Sequence, residues 1–177
     1  MEKQLNSETL FEGKIFTVHK DEVLCENGEK AYRECVYHHG GACILAIEDD
    51  EIILVKQYRY TLQREMIEIP AGKLEKGEDP REACFREFEE ETSRRAKDMK
   101  FLCKIVPTPG YCSEEISLYE AIDFKEVEDS LDADPDEDLH LLKMPIDEAY
   151  KAIFEGKITD SKTVIAILYA YNRKHAS

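Results

Sequence analysis

The stretch GKLEKGEDPREACFREFEEETSR, residues 72–94, carries the clearest structural signals in the chain. Asp79 stands directly before Pro80, and Glu82 follows. A capping carboxylate, a proline at the first helical position and a capping-box acid thus mark one helix start. The pattern predicts a helix over residues 80–92.

Glutamates gather on one side of this predicted helix. At ~100° per residue, Glu87, Glu90 and Glu91 share a side, next to an apolar stripe suited to burial. The stripe consists of Cys84, Phe85 and Phe88. Glu87 and Glu91 are spaced i,i+4 and repel each other, while Arg86 is four residues before Glu90 and can pair with it. The helix is therefore either a solvated acidic face or a site for a hard cation such as Mg²⁺.

The spacing of the whole stretch resembles the Nudix box of the Nudix hydrolases. The residues that carry the resemblance are Gly72, Glu78, Arg86, Glu87, Phe88, Glu90 and Glu91. The resemblance implies an α/β fold, the Nudix α/β/α sandwich with a mixed sheet. It also implies that a loop–helix–loop binds Mg²⁺ or Mn²⁺ and hydrolyses a diphosphate that joins a nucleoside to another group. The implied catalytic or metal-binding residues in this stretch are Arg86, Glu87, Glu90 and Glu91.

The end of the stretch departs from the family pattern, which continues with a glycine and an aliphatic residue where this chain has Ser93 and Arg94. A glycine just past a helix supplies the left-handed conformation, and an aliphatic residue re-enters the core. We expect serine and arginine to do neither well. Arg94 and Arg95 also follow Glu90 and Glu91 by four residues and could compete with a metal ion for those carboxylates. Weaker metal binding is therefore expected.

Composition limits the classes of function. The chain has 177 residues, enough for one well-buried core and a small extra unit. Its 24 basic and 39 acidic residues give a net charge of −15, which disfavours nucleic acid as a partner. Six cysteines without a C-x-x-C pair favour reduced thiols in a cytoplasmic protein. No apolar run is long enough to span a bilayer, so no membrane partner is expected.

The chain before the box reads as strands. Residues 15–25 and 30–38 flank a turn signal with Gly28 and predict a hairpin. We therefore expect a small antiparallel β unit at residues 1–40, followed by the main domain at 41–177. The other predicted strands are residues 42–47, 51–58, 99–106, 115–122 and 139–144, and the other predicted helices are 146–154 and 161–172. The near-continuous apolar runs at 42–47 and 51–58 indicate burial on both faces.

Two arginines outside the box are candidate phosphate ligands, because a guanidinium fork binds phosphate in a bidentate way. They are Arg33 and Arg59, and each could equally be ordinary strand surface. The hairpin, the arginine before the first core strand and the QYR at 57–59 resemble the ADP-ribose pyrophosphatase branch. That resemblance implies a homodimer with exchanged N-terminal strands, in which both chains build each substrate site. The sequence EIPAG at 68–72 adds to it and implies a substrate contact for Glu68 and a metal-ligating carbonyl on Ala71.

A proline-rich loop follows the box helix. Residues 107–110 read PTPG, and their prolines limit the freedom of the loop. Pro109 and Glu114 match positions that bind substrate in ADP-ribose-preferring members of the family. The resemblance therefore implies substrate contacts for both residues.

The acidic segment at residues 126–138 would ordinarily be a solvated loop. It mimics the start of a calcium loop, but Glu137 and Lys143 occupy the positions that need glycine and a bidentate acid. The family resemblance instead implies that Glu137 is a catalytic or metal-binding residue. Asp134 and Asp136 are alternative candidates.

The resemblance thus implies a metal-dependent hydrolase that cleaves ADP-ribose to AMP and ribose 5-phosphate. Two alternatives remain. One is hydrolysis of another nucleotide sugar or of a dinucleotide. The other is a degenerate Nudix module that binds a nucleotide without turnover, which the departure at Ser93 and Arg94 keeps open.

Overall fold

The computed structural model describes residues 1–131 and 138–176. These residues divide into two compact units. One unit contains residues 1–40 and 106–115, and the other contains residues 41–105 and the described residues from 116 onward. The loop that carries Pro109 and Glu114 therefore belongs to the same unit as the N-terminal strands.

The N-terminal unit is a three-stranded antiparallel sheet in the order β1 (Lys3–Glu12), β2 (Phe16–Leu24) and β3 (Lys30–His38). The predicted hairpin is confirmed as β2 and β3, and its turn places Gly28 at a φ of 85°. The prediction missed β1. Every residue of β1 is exposed, so the strand forms through its backbone ladder with β2 and has no buried face that sequence alternation could reveal.

Backbone hydrogen bonds attach the proline loop to β3 within this unit. The Val36 N–H donates to the Tyr111 carbonyl over 2.7 Å, and the Ser113 N–H donates to the Val36 carbonyl over 2.9 Å. The loop is thus held on both sides of one residue of β3. Main-chain hydrogen bonds to β3 thus fix the position of the loop within this unit.

The second unit is the predicted α/β sandwich with a mixed sheet. Its strands are β4 (Gly41–Leu45), β5 (Ile47–Glu48), β6 (Glu51–Arg59), β7 (Arg64–Glu68), β8 (Ala71–Lys73), β9 (Arg94–Ile105), β10 (Ile116–Glu126) and β11 (Leu139–Pro145), and its helices are α1 (Pro80–Thr92), α2 (Ile146–Phe154) and α3 (Ser161–His175). One sheet has the order β8-β4-β10-β9, and the other has the order β11-β6-β5 with β7 also paired to β6. β4 and β10 run parallel, while the remaining pairs are antiparallel.

The central strand β4 is buried on both faces, as its apolar run predicted. Ile44 belongs to the hydrophobic cluster that contains Phe88 of α1. Leu45, the next residue, belongs to the cluster that contains Ala149 of α2 and Ile167 of α3. Successive side chains of a strand point to opposite faces, so β4 separates the core under α1 from the core under α2 and α3.

Several predicted strand boundaries were wrong, and two of the differences have a clear structural cause. The run at 42–47 breaks at Ala46, where the chain passes from one sheet to the other as β5 begins. β9 begins at Arg94 and not at residue 99, because the chain turns directly from α1 into the strand. The turn occurs at Ser93, which adopts φ 52° and ψ 35° after the last helical residue. Serine thus takes the conformation usually reserved for glycine, and the expectation that it would not do so was wrong.

Candidate active site

The N-terminal cap and the buried apolar side of helix α1 fix the position of its acidic side. Asp79 caps it through a hydrogen bond from the Arg81 N–H to Asp79 Oδ1 (2.8 Å), and Pro80 is its first residue. Phe88 and Cys84, on the apolar side of the helix, are fully buried. The glutamates that lie beside this apolar stripe are therefore held against the core, and Glu87 is itself buried.

Arg86 is surrounded by three carboxylates. Its Nη1 lies 3.0 Å from Glu90 Oε2 and 2.8 Å from Glu87 Oε1, and its Nε donates to Glu78 Oε1 over 3.2 Å. Burial disfavours the charge of Arg86, but its hydrogen bond to Glu78 and the charge of Glu87 outweigh that effect and raise its pKa. The predicted pairing of Arg86 with Glu90 is confirmed. One guanidinium does not balance three carboxylates, so the site still favours a further cation.

The segment before the helix approaches it closely at two points. The Ala71 N–H donates to Glu91 Oε2 over 3.0 Å. Gly72 lies against the Glu87 carboxylate, and a Cβ on that glycine would be 1.8 Å from Glu87 Oε1. A side chain at position 72 would therefore force the Glu87 carboxylate to move. The structure thus brings Ala71, Gly72, Glu87 and Glu91 together.

The pairing of β8 with β4 sets the direction of the Ala71 backbone. Ala71 stands opposite Cys43, and the neighbouring opposed pair is hydrogen-bonded, since the Ile44 N–H donates to the Pro70 carbonyl over 2.8 Å. Hydrogen-bonded and non-hydrogen-bonded pairs alternate along an antiparallel ladder. Both the N–H and the C=O of Ala71 therefore point away from β4, and the N–H reaches Glu91 on that side.

Arg59, which is partly exposed, forms an ion pair with the buried carboxylate of Glu68. Arg59 Nε and Nη2 donate to the two oxygens of Glu68 over 2.6 and 2.7 Å. Lys162 donates to Glu68 Oε2 over 2.5 Å and lies 3.0 Å from Asp160 Oδ2. Burial raises the pKa of Glu68, but the hydrogen bond from Arg59 and the charge of Lys162 outweigh it and lower that pKa to about 2. Glu68 is thus ionised at neutral pH and holds Arg59 at the end of β6.

The two arginines after the box pair with other groups than the predicted ones. Arg95 donates two hydrogen bonds of 2.7 Å to the carboxylate of Glu89. Arg94 is buried and donates to the Thr92 carbonyl over 2.9 Å. The expected competition of Arg94 and Arg95 for Glu90 and Glu91 is therefore wrong. Helical spacing suggested it, but the helix ends at Thr92 and both arginines lie on a strand.

The remaining predicted substrate contacts lie in the N-terminal unit. Arg33 of β3 donates to Glu2 Oε2 over 3.1 Å and lines a cavity of about 680 Å³ together with Tyr32, Gly110 and Tyr111. Pro109 stands in the loop beside this cavity, and Glu114 lies 3.7 Å from His38 Nδ1. The structure thus places these three predicted residues in one unit and the box residues in the other.

Sequence reasoning missed Lys162 as a partner of Glu68. The two residues are far apart in sequence, and the only local signal was the capping of α3 by Asp160, which the structure confirms. Glu137, Asp134 and Asp136 lie outside the described residues. In the described part of the chain, no three His, Cys, Asp or Glu side chains form a group that could hold a metal ion by themselves. A cation at Glu87 and Glu91 would therefore need other oxygens, as Mg²⁺ usually does.

Comparisons with known proteins agree with this geometry. The sequence profile of the NUDIX domain matches residues 37–165. The chain belongs to the Nudix family. A methanol dehydrogenase activator of Bacillus methanolicus is 41% identical over 95% of this chain and 91% of the relative. An ADP-ribose pyrophosphatase of Bacillus subtilis is 36% identical over the same shares of the two chains.

A solved structure shares the fold. The crystal structure of an ADP compounds hydrolase superposes with a TM-score of 0.84 at 24% identity and covers 98% of this chain and 95% of its own. Among residues 1–131 and 138–176, no helix has the length and apolar character needed to cross a membrane. The family profile and the curated relatives identify the chain as a Nudix pyrophosphohydrolase. Its mixed α/β fold is the one that the sequence predicted.

Proposed function

We propose that this protein hydrolyses ADP-ribose to AMP and ribose 5-phosphate with the aid of a divalent cation. The observation that carries the proposal is the meeting of Ala71 and Gly72 with Glu91 and Glu87 across the box. The name of the Bacillus subtilis relative supports ADP-ribose as the substrate.

Mg²⁺, or Mn²⁺ in its place, is the cation that fits the donor set best. Glu87, Glu91 and the Ala71 carbonyl are its proposed ligands, and Glu90 and Glu137 are further candidates. All of them offer oxygen, and waters and substrate phosphates would complete the shell. When bound, the cation would neutralise diphosphate charge and lower the pKa of a coordinated water.

Arg86 has a separate proposed role. It binds Glu78 and Glu90 as well as Glu87, so it orients three box glutamates and limits their mutual repulsion. Glu91, at the next turn of the helix, is oriented by the Ala71 N–H instead. Two different donors thus fix the acids that we assign to the metal. Glu137 is proposed as a catalytic or metal-binding residue from the family resemblance alone.

We propose substrate contacts for two arginines, because of their charge, and for residues of the N-terminal unit, because of its cavity. Arg59 is held by Glu68 through Nε and Nη2, so its Nη1 end can meet a phosphate oxygen. Arg33, Pro109 and Glu114 share the N-terminal unit, where the cavity beside Tyr32 and Tyr111 has room for a nucleoside. We assign Arg33 to the substrate as well, in place of its present partner Glu2.

We also propose a homodimer with exchanged N-terminal strands. β1 is ten residues long, fully exposed and paired on one edge with β2, and it carries exposed Leu5, Leu10 and Phe11. A long exposed edge strand that carries some apolar side chains is a template for pairing with another chain, and a second copy offers the matching edge. Sedimentation of the full chain should show a dimer. A fully active monomer would contradict the shared site.

A second candidate function is the activation of a dehydrogenase. It is favoured by the relative named methanol dehydrogenase activator, whose 41% identity exceeds the 36% of the ADP-ribose pyrophosphatase. The test is the rate of a methanol dehydrogenase with and without this protein. Stimulation that survives Glu91→Gln would identify a function separate from hydrolysis, whereas no stimulation by the wild type would exclude this candidate.

The experiment that tests the main proposal is turnover on a panel of nucleotide sugars and dinucleotides with Mg²⁺ or Mn²⁺, with products separated by chromatography. AMP and ribose 5-phosphate should form fastest from ADP-ribose. Faster cleavage of another member of the panel would change the substrate. Binding of ADP-ribose without any cleavage would support the degenerate module.

We propose a cytoplasmic location, in keeping with six cysteines that are all free.

A further inference from the structure

Lys162 is a buried cation in the first turn of α3. The residue is 8% exposed, although lysine is almost never buried without a partner. Its ammonium group binds Glu68 Oε2 and lies near Asp160 Oδ2. Burial lowers the pKa of Lys162, but the charges of Glu68 and Asp160 outweigh that effect and raise it, so the lysine is charged.

Glu68 binds both Lys162 and Arg59 and so connects the two cations. The Glu68 side chain is 4% exposed, whereas the Arg59 side chain is 41% exposed. Lys162 thus stands on the interior side of Glu68, and Arg59 stands on the solvent side. Two cations and two carboxylates, those of Glu68 and Asp160, form a balanced chain that ends at the Arg59 guanidinium.

The same turn of α3 also holds the backbone next to Glu68. Thr163 Oγ1 accepts a hydrogen bond from the Ile69 N–H over 2.8 Å and donates to Asp160 Oδ2 over 2.6 Å. Ile69 is two residues before Ala71, whose N–H binds Glu91. The start of α3 therefore fixes both the side chain of Glu68 and the main chain that leads to the box.

Arg59 lies within electrostatic reach of the box. The hydrogen bond to Glu68 is the main cause that raises the pKa of Arg59, and the charge of Glu91 adds to it. An arginine that is held by a buried anchor within electrostatic reach of a box carboxylate suits the recognition of a phosphate. A buried ion pair often adds little net stability, so a directional role explains its presence better than stability does.

We infer that Lys162 is a positioning residue for the substrate site: it fixes Glu68, which in turn aims Arg59 at the diphosphate of the substrate. This inference rests on the proposed function. Lys162 touches no substrate in this account. Its effect should therefore pass through Arg59 and should disappear when Arg59 is removed.

The test compares Lys162→Met with Lys157→Met, a matched control at an exposed lysine that pairs with Glu155. Lys162→Met should raise KM for ADP-ribose by about tenfold with a smaller change in kcat, and Lys157→Met should change neither. Lys162→Met should add little in an Arg59→Ala background, because both changes remove one interaction. Effects that multiply would overturn the inference. If Lys162→Met does not fold, Lys162→Gln replaces it, because glutamine keeps a hydrogen-bond donor.

A second readout does not depend on turnover. The Nε–H resonance of Arg59, assigned by its loss in Arg59→Ala, should be sharp in the wild type and in Lys157→Met. It should broaden or shift in Lys162→Met. An unchanged resonance would overturn the inference whatever the substrate is. Failure of the wild type to cleave ADP-ribose would instead contradict the proposed function and leave the resonance test to decide the role of Lys162.

Discussion

The Ala71 N–H donates a hydrogen bond to Glu91 Oε2 over 3.0 Å, and this contact ties the strand before the box to the helix inside it. Ala71 belongs to β8, which pairs with the central strand β4. The carboxylate of Glu91 is thus oriented by the sheet as well as by its own helix. Such a bond fixes the side chain before any ligand arrives, which lowers the entropy cost of binding.

Gly72→Ala should strongly reduce activity although it replaces no charged residue. The new Cβ would lie 1.8 Å from Glu87 Oε1, so the carboxylate must move. We expect kcat/KM for ADP-ribose to fall by about 10²-fold, the cost usual for a misplaced catalytic group. The free energy of unfolding should also fall, by about 1–3 kcal/mol for the overlap.

A double variant provides the control for this prediction. In a Glu87→Ala background the carboxylate is absent, so Gly72→Ala should cost little further stability. Urea unfolding of the four proteins measures the coupling. An equal loss of stability in both backgrounds would show that the alanine strains the backbone and does not meet Glu87.

The stability of the protein should depend on Glu68 at acid pH. Its pKa in the folded state is about 2, below the ordinary value of 4.5. The ionised form of Glu68 therefore stabilises the fold at pH values above 4.5. This contribution is lost as the pH falls towards about 2. Between about pH 5 and about pH 3, the wild type should lose about 2 kcal/mol more stability than Glu68→Gln. Equal losses in urea unfolding would contradict the pairing.

Ser93→Gly should stabilise the protein and leave its metal requirement unchanged. Ser93 has a φ of 52°, which is costly for serine and not for glycine. We expect a gain of about 0.5–1 kcal/mol, reduced by the loss of the contact between the Ser93 and Ser130 hydroxyls. The Mg²⁺ concentration for half-maximal rate should not change. A marked fall would revive the expectation that this helix end weakens metal binding.

Glu137→Gln should lower kcat by about 10²-fold with little change in KM, as expected for a lost acid–base group. The prediction rests on the family resemblance. Asp134→Asn and Asp136→Asn are its matched controls in the same acidic segment. Full activity in Glu137→Gln with loss in either control would move the role along the segment, and full activity in all three would exclude it.

The parts of the fold that the sequence predicted are those with strong local signals. The caps at Asp79 and Pro80 and the apolar stripe determined α1, and its predicted limits are confirmed. The double-sided burial of β4 followed from its unbroken apolar run. By contrast, β1 has no buried face, and a strand without one leaves no periodic pattern to detect.

The sequence predicted the acidic residues of the candidate site, but not the residues that hold the neighbouring side chains and backbone in position. Glu87 and Glu91 were recognisable because helical spacing places them together. Lys162 and Thr163 were not, because their contacts with Glu68 and Ile69 join residues more than 90 positions apart and depend on how α3 packs. Spacing misled at Arg95, since it assumed that the helix continues where Ser93 ends it.

The most direct test of the central claim is the Mg²⁺-dependent rate of ADP-ribose hydrolysis by the wild type and by Glu91→Gln, with Glu82→Gln on the exposed side of the same helix as control. The wild type and Glu82→Gln should release AMP and ribose 5-phosphate at similar rates. Glu91→Gln should be slower by about 10²-fold or more at every Mg²⁺ concentration while keeping its fold by circular dichroism. Hydrolysis by Glu91→Gln at the wild-type rate under limiting Mg²⁺ would contradict the assignment of the box helix as the metal site.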